Sequence, residues 1–460
     1  MPISPPRRYL DGMNDLTTGS VSRHLLKTTG FMLVTMVFQT LYFLVDLYWV
    51  GRLGTDAIAA VSIAGNLTFV TLGLTQMLGV GTTTVISHAV GRKEHDQALL
   101  LFNQSQVLAL ITGFLFLIVG MAIRTPYSTT MSADPNTAKL AGQYLLWFIP
   151  AMALQFGLVA MGSALRAVGT FKPGMLVSTT TVIINIVLAP FLIFGWVTGH
   201  AFGVAGAAMS SLIAIVIGIV WFLFYFRKDA YLHFVVADWG PRLALWKKML
   251  GIGLPAGFEF AITALYLVIV YSIMRPFGAP AQAGFGIGMR VIQAGFMPVV
   301  ALGFAVAPVA GQNFGAKHPQ RVKDTFRDAA IMAAAVMMLL AILCNIAPDA
   351  IIRIFSKDPA VIDVASTYLR IVSWNFIASG VIFVASSMFQ AMGNTIPSLI
   401  TSGVRILIVA IPAWLLSRVS GFHLHWIWYL SVASVFIQLV LSMLMLRREF
   451  GRRLAFEPAP

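Results

Sequence analysis

The stretch Phe38-Gln-Thr-Leu-Tyr-Phe-Leu-Val-Asp46-Leu-Tyr-Trp-Val-Gly51-Arg-Leu-Gly54 closes a long apolar run and carries one acid. A run of about 20 apolar residues suffices to cross a bilayer as a helix. Asp46 then lies about one turn inside the end of a spanning helix. An ionised carboxylate there costs about 2.5–3.5 kcal/mol on insertion scales. A chain carries that cost for a partner, a water-filled cavity or a cation.

The rest of the chain agrees with a membrane setting. Of 460 residues, 58% are hydrophobic and 10% are charged, with a mean hydropathy of +0.84. Soluble domains carry about 25% charged residues, so the composition is that of an all-α polytopic membrane protein. The single cysteine, Cys344, excludes an internal disulfide. The net charge of +14 sits in loops beside apolar runs. It reads as a topology signal rather than a nucleic-acid surface.

Twelve spans are expected, near 28–50, 57–82, 98–121, 140–164, 173–194, 203–226, 249–274, 281–311, 327–347, 364–390, 397–418 and 424–446. Pro298 and Pro308 predict a kink or break in the eighth. The termini and even-numbered loops hold 21 Lys and Arg, including Arg7, Arg8, Lys247 and Arg321, against 7 in the odd-numbered loops. The positive-inside rule then places both termini in the cytoplasm of a multi-pass membrane protein. The domain plan is a segment 1–27, a six-helix bundle 28–226, a linker 227–248, a second bundle 249–446 and a tail 447–460.

An internal repeat appears at an offset of 224 residues. Gly54, Ala57, Ala59 and Ile63 fall on Gly278, Ala281, Ala283 and Ile287. Gly91 and Lys93 fall on Gly315 and Lys317, and Ala167, Gly169 and Pro173 fall on Ala391, Gly393 and Pro397. Three separated clusters on one ungapped offset mark two pseudo-symmetric halves. Six spans per copy give both the same orientation, and such repeats relate by an axis along the membrane normal.

These residues resemble the multidrug and toxic compound extrusion (MATE) family. The likeness runs through Val45-Asp46-x-x-x-Val50-Gly51-x-Leu53-Gly54-x-x-Ala57, the loop motifs above, Gly253-Leu-Pro-Ala-Gly-Phe-Glu259 and Pro308-Val-Ala-Gly-Gln312-Asn313-x-Gly315. The resemblance implies two six-helix bundles in a V and efflux of cationic or amphipathic molecules by alternating access. Antiport of H+ or Na+ would drive it, with no cofactor, membrane lipids and small molecules as partners, no nucleic acid, and a monomeric state. An acid in the first span is similar to the DinF-like bacterial branch. That branch pairs it with Asn-x-x-x-Asp-Pro in span five and a Thr in span six. Here those positions read Asn185-Ile-Val-Leu-Ala189-Pro190 and Ser211. One carboxylate is left where a hard cation wants several oxygens, which favours a proton over sodium.

Asp46, Asn185 and Ser211 are accordingly expected to form the cation- or proton-coupling cluster. Counting 1.5 Å per residue puts all three in the outer half of the first bundle. Glu259 lies about one turn after Pro255 and marks a second acidic or substrate site, with Arg290 as its expected ion-pair partner. Arg405 and Arg370 are further in-membrane cations, read as structurally paired. Gln39, Tyr42, Met77 and Met175 are expected along a substrate cavity. His24, His88, His95 and His318 have no metal-site spacing. No His-Glu-x-x-His, paired-acid or Ser/His/Asp constellation points to an enzyme. A lipid-linked sugar or lipid flippase of the same wider superfamily is the alternative, and a cavity lined by several Arg would favour it.

Overall fold

A computed structural model describes residues 14–196, 199–229, 231–419 and 421–456. Arg7, Arg8 and the rest of 1–13, and the end of the tail at 457–460, lie outside the described residues. Among the described residues twelve helices are long and apolar enough to span a membrane, as expected. Among the described residues there is no strand.

The first six spans are α1 (Val21–Gly51), α2 (Thr55–Gly91), α3 (His95–Met131), α4 (Pro135–Ala167), α5 (Phe171–Phe194) and α6 (Val204–Lys228). The seventh to ninth are α7 (Leu243–Met274), α8 (Ala279–Gly315) and α9 (Pro319–Ile346). A short helix α10 (Pro348–Arg353) precedes span ten, which consists of α11 (Pro359–Val372) and α12 (Phe376–Ala391). The last two are α13 (Ile396–Leu416) and α14 (His425–Arg453). Helices of 37 residues, such as α2 and α3, run about 56 Å at 1.5 Å per residue. They overshoot the roughly 30 Å hydrocarbon core. Large apolar side chains such as Phe43, Leu44, Phe114 and Phe224 are exposed, as lipid contact requires.

Of the kink or break expected in span eight, the break is not found. α8 is helical throughout, including Pro298 and Pro308. The interruption falls instead in span ten, where a 3-10 turn at Ser373–Asn375 separates α11 from α12. Asn345 on α9 donates to Ser373 Oγ at 2.7 Å and holds that turn.

The repeat is visible in the backbone. Gly54 and Gly278 have φ of 110° and 82°, Lys93 and Lys317 61° and 57°, and Gly169 and Gly393 81° and 75°. Each pair lies at the same offset, and each lies in the left-handed half of φ space that side chains rarely adopt. The two lysines end α2 and α8 alike: Lys93 N–H donates to Val90 O at 2.9 Å and Lys317 N–H to Phe314 O at 3.1 Å. At Gly169 a Cβ would also stand 2.5 Å from the Asn14 carbonyl oxygen, whose side chain donates to Gly169 O at 3.0 Å. Gly169→Ala is therefore expected to lower stability by about 1–3 kcal/mol, read as a reduced melting temperature in detergent. An unchanged melting temperature would contradict this account of the turn.

The described residues form two compact units, 14–16 with 30–257 and 17–29 with 258–456. These bounds differ from the expected plan, because the linker and the start of α7 fold with the first unit. Asn103 and Gln104 on α3 are fully buried and take the linker as their hydrogen-bond partner. Asn103 accepts from Val235 N at 2.9 Å and Trp239 Nε1 at 3.1 Å, and donates to His233 O at 3.1 Å. Gln104 donates to Asp238 O and to Gly240 O, and accepts from Arg242 N at 3.0 Å. Buried amides need such partners. Burial beside them pushes the linker phenol of Tyr231 up to about 12.

Within this unit α4 is central, packing on α2, α3 and α6. The first part of α7 lies against α2 backbone to backbone. A Cβ on Gly257 would come 2.8 Å from Gly73 O, one on Gly81 2.5 Å from Met249 O, and one on Gly253 would strike Met77 O. Such small-residue spacing permits close helix approach inside a bilayer.

In the second unit α8 packs on α9, α11 and α12, and α14 on α12 and α13. Its extra segment, 17–29, is held by α9: Arg321 donates to Gly19 O at 2.9 Å and Thr18 O at 3.3 Å, and Ser22 Oγ donates to Asp328 at 2.6 Å.

Candidate functional site

In the first unit four helices bring polar groups together inside the bundle. α5 and α6 approach closely because Gly206 lies on the α5 backbone, where a Cβ would stand 2.6 Å from Leu192 O. That contact sets Asn185 of α5 opposite the Ser210–Ser211 pair of α6. Asn185 Nδ2 donates to Ser210 Oγ at 3.2 Å and to Ser211 Oγ at 3.0 Å. Ser210 Oγ donates in turn to Ala207 O at 2.7 Å. Tyr42 of α1 reaches the same serine, its hydroxyl 2.9 Å from Ser211 Oγ. Asn185, Ser210 and Ser211 are all buried.

Asp46 follows Tyr42 by one helical turn. The charge of Asp46 acts on the hydroxyls of both Tyr42 and Tyr144 of α4. Its Oδ1 is buried and has no hydrogen-bond partner among the described residues. The expected trio is thus joined differently from the sequence reading: Asn185 and Ser211 are bonded, and Tyr42, expected along a cavity, is the link to α1. Asp46 stands beside this network without a hydrogen bond to Asn185 or Ser211. Ala189, where the resembling branch has its second acid, is buried in an apolar cluster with Val50, Tyr144 and Ile193. Tyr144 and Ser210 were missed. No spacing signalled these two; the four-residue step from Tyr42 to Asp46 signals only that those residues share a face of α1.

The remaining first-unit candidates are dispersed. Gln39 is exposed and Met175 half-buried. Met77 is 7% exposed and belongs to the main apolar core, so it does not present a cavity surface. The close approach of α7 at Gly253 closes over it.

In the second unit Glu259 is held by α13. Ser398 Oγ lies 3.1 and 3.2 Å from its two carboxylate oxygens, and Ser402 Oγ donates at 2.7 Å. Ser386 of α12 stands 2.6 Å from Ser398 Oγ, and Gln438 of α14 donates to Ser402 Oγ at 3.3 Å. The expected Glu259–Arg290 ion pair is not formed. Arg290 is exposed on α8 and enters no ion pair among the described residues. Serine hydroxyls satisfy the carboxylate instead, without the cost of a second buried charge. Arg370 does pair, with Asp349 at 3.8 Å. Arg405 enters no ion pair among the described residues; its guanidinium lies over the Tyr266 ring, 5.6 Å from the centroid. Among the described residues no three His, Cys, Asp or Glu gather as a metal site.

The MatE family model matches this chain twice, at residues 32–191 and 255–415. The two matches repeat the offset found within the sequence. Multidrug export protein MepA of Staphylococcus haemolyticus (strain JCSC1435) is 26% identical over 368 residues, 79% of this chain and 80% of its own. Probable multidrug resistance protein YoeA of Bacillus subtilis (strain 168) is 26% identical over 418 residues, 89% of this chain and 90% of its own. A solved structure of a multidrug resistance MATE family transporter of the MOP superfamily superposes with a TM-score of 0.89 at 22% identity. It covers 97% of this chain and 99% of that one.

Proposed function

Because the chain belongs to the MatE family of membrane transporters, and is therefore no enzyme, we propose that it is a monomeric multidrug exporter driven by cation antiport. Asp46 is its coupling carboxylate, and a proton rather than sodium is its coupling ion. The names of the bacterial relatives support export of small molecules. One observation carries the choice of ion. Asp46 has a buried carboxylate oxygen without a hydrogen-bond partner among the described residues, and the position of a second acid is taken by Ala189 in the apolar core. Sodium is bound by several hard oxygens, whereas a proton needs one.

The mechanism follows from charge. Ionised Asp46 attracts an organic cation, and a protonated Asp46 does not, so the two compete for one group. Tyr42, held by Ser211 and through it by Asn185, is the positioning residue that fixes the α1 face beside the carboxylate. Export results if the proton-bound and cation-bound forms favour opposite faces. A potential of 100 mV contributes about 2.3 kcal/mol per elementary charge, so one proton per cycle supports useful accumulation. Reconstituted efflux of ethidium under separately imposed pH and sodium gradients tests the reading. A response to pH alone upholds it, and a response to sodium alone overturns the ion assignment.

Glu259 supplies the second acidic site. Ser398 and Ser402 donate to its carboxylate and Gln438 donates to Ser402, and these neutral groups can stabilise a charge there without a buried cation to compete with a cationic cargo. Glu259→Gln is expected to weaken ethidium binding by about tenfold, a factor equivalent to about 1.4 kcal/mol, measured by fluorescence titration. An unchanged affinity would leave Glu259 a purely structural group.

A further inference from the structure

Arg405 is a cation with no acidic partner among the described residues. It is the tenth residue of the 21-residue α13, about 14 Å along the axis from the helix start. Snorkelling to that interface would have to cover most of this depth. A charged side chain near the centre of a span is costly, and such residues face a bundle interior or cavity and mark ligand pathways. A guanidinium keeps its proton in proteins, so it cannot escape this cost by neutralisation.

The surroundings of Arg405 offer an aromatic wall rather than an acid. Its Cζ lies 5.6 Å from the Tyr266 ring centroid, and its charge acts on Tyr368 of α11. The Tyr368 and Trp428 rings pack edge to face at 4.6 Å. The Tyr266 hydroxyl is 3.5 Å from Ser431 Oγ of α14. Nε of Arg405 is buried and donates to nothing among the described residues. Glu259, an acid of the same unit, is bonded to Ser398 and Ser402.

The repeat sharpens the contrast. Tyr42 falls on Tyr266 at the 224-residue offset, whereas Asp46 falls on Val270. Both units therefore present a tyrosine at the same place, one beside a carboxylate and the other beside a guanidinium.

We propose that Arg405, with Tyr266 and Ser431, binds an oxyanion, a carboxylate or phosphate carried on an apolar body, within the second unit. The guanidinium fork matches the paired oxygens of either group. The hydroxyls of Tyr266 and Ser431 can donate to the same anion, and the rings accept the apolar body. The site adds acidic or zwitterionic molecules to the cations expected at Asp46, and it stands independently of the coupling mechanism.

The test uses the full-length protein in dodecyl maltoside, an uncharged detergent without phosphate. Benzoate, phenyl phosphate, dihexanoyl phosphatidate, benzyl alcohol and benzylammonium are titrated calorimetrically. At least one of the three anions should bind about tenfold or more tightly than the alcohol and the amine, with the preference lost in Arg405→Gln and largely kept in Arg405→Lys. Ethidium binding should be unaltered in both variants. A response to benzoate or phenyl phosphate upholds the site for small cargo, and one confined to phosphatidate upholds it for a lipid headgroup. Equal binding of anions and benzyl alcohol by the unmodified protein overturns the proposal even if Arg405→Gln fails to fold. Undiminished anion binding by folded Arg405→Gln overturns it as well.

Discussion

Asp46→Asn is expected to eliminate gradient-driven export while leaving the protein folded. The substitution keeps the shape of the side chain and removes the carboxylate that would exchange a proton. A transporter whose states no longer differ in proton affinity has nothing with which to convert a pH gradient, so pH-driven ethidium efflux should fall about tenfold or more, to the level of protein-free vesicles. Stability should move the other way or not at all. The Asp46 oxygen is buried without a partner, and an ionised carboxylate at that depth costs about 2.5–3.5 kcal/mol on insertion scales. The melting temperature of Asp46→Asn should therefore equal or exceed that of the parent. Full pH-driven efflux in the variant would refute the assignment. A collapse in stability would show that Asp46 has a structural partner instead.

Gly253→Val should have the largest effect on folding. Gly253 and Gly257 let α7 lie on the backbone of α2 at Met77 and Gly73. Backbone carbonyls cannot swing aside as a flexible side chain can, so a β-branched group forces the helices apart. Overpacking costs about 1–3 kcal/mol where side chains yield, and more is expected here, about 3 kcal/mol or above. Gly253→Ala should be intermediate. Gly251 supplies the control, since a Cβ there meets nothing within 4 Å. Gly251→Val lies on the same helix and should be close to neutral. Detergent-solubilised yield and melting temperature read all three. Equal behaviour of Gly251→Val and Gly253→Val would dismiss the contact as the cause.

The spans were legible because lipid imposes a length and an apolar composition on each helix. The repeat was legible because its landmarks, Gly54, Lys93 and Gly169 with their counterparts, occupy backbone conformations few residues tolerate. Partner choice was not legible. The serines that hold Glu259 lie about 140 residues away on α13, and only the rotation of that helix aims Ser398 and Ser402 at it. Matching charges by sign alone suggested Arg290, which is exposed and enters no ion pair among the described residues. Tyr42 illustrates the same limit. Its residue type suits a cavity wall, and only the position of α6 makes it the partner of Ser211. The break at Ser373–Asn375 carries no proline, so composition gave no warning of it.

The division of the chain has a consequence for its history. Sequence similarity duplicates a six-span segment, yet residues 17–29 complete the unit built mainly from the second copy, and residues up to Gly257 complete the first. The unit of duplication and the unit of folding are thus different lengths of polypeptide. A solitary six-span copy would hold an opening segment that completes nothing and lack the one that completes it. Two copies resolve both deficits by exchange. The present chain has the logic of a segment-swapped dimer made permanent by fusing its subunits end to end.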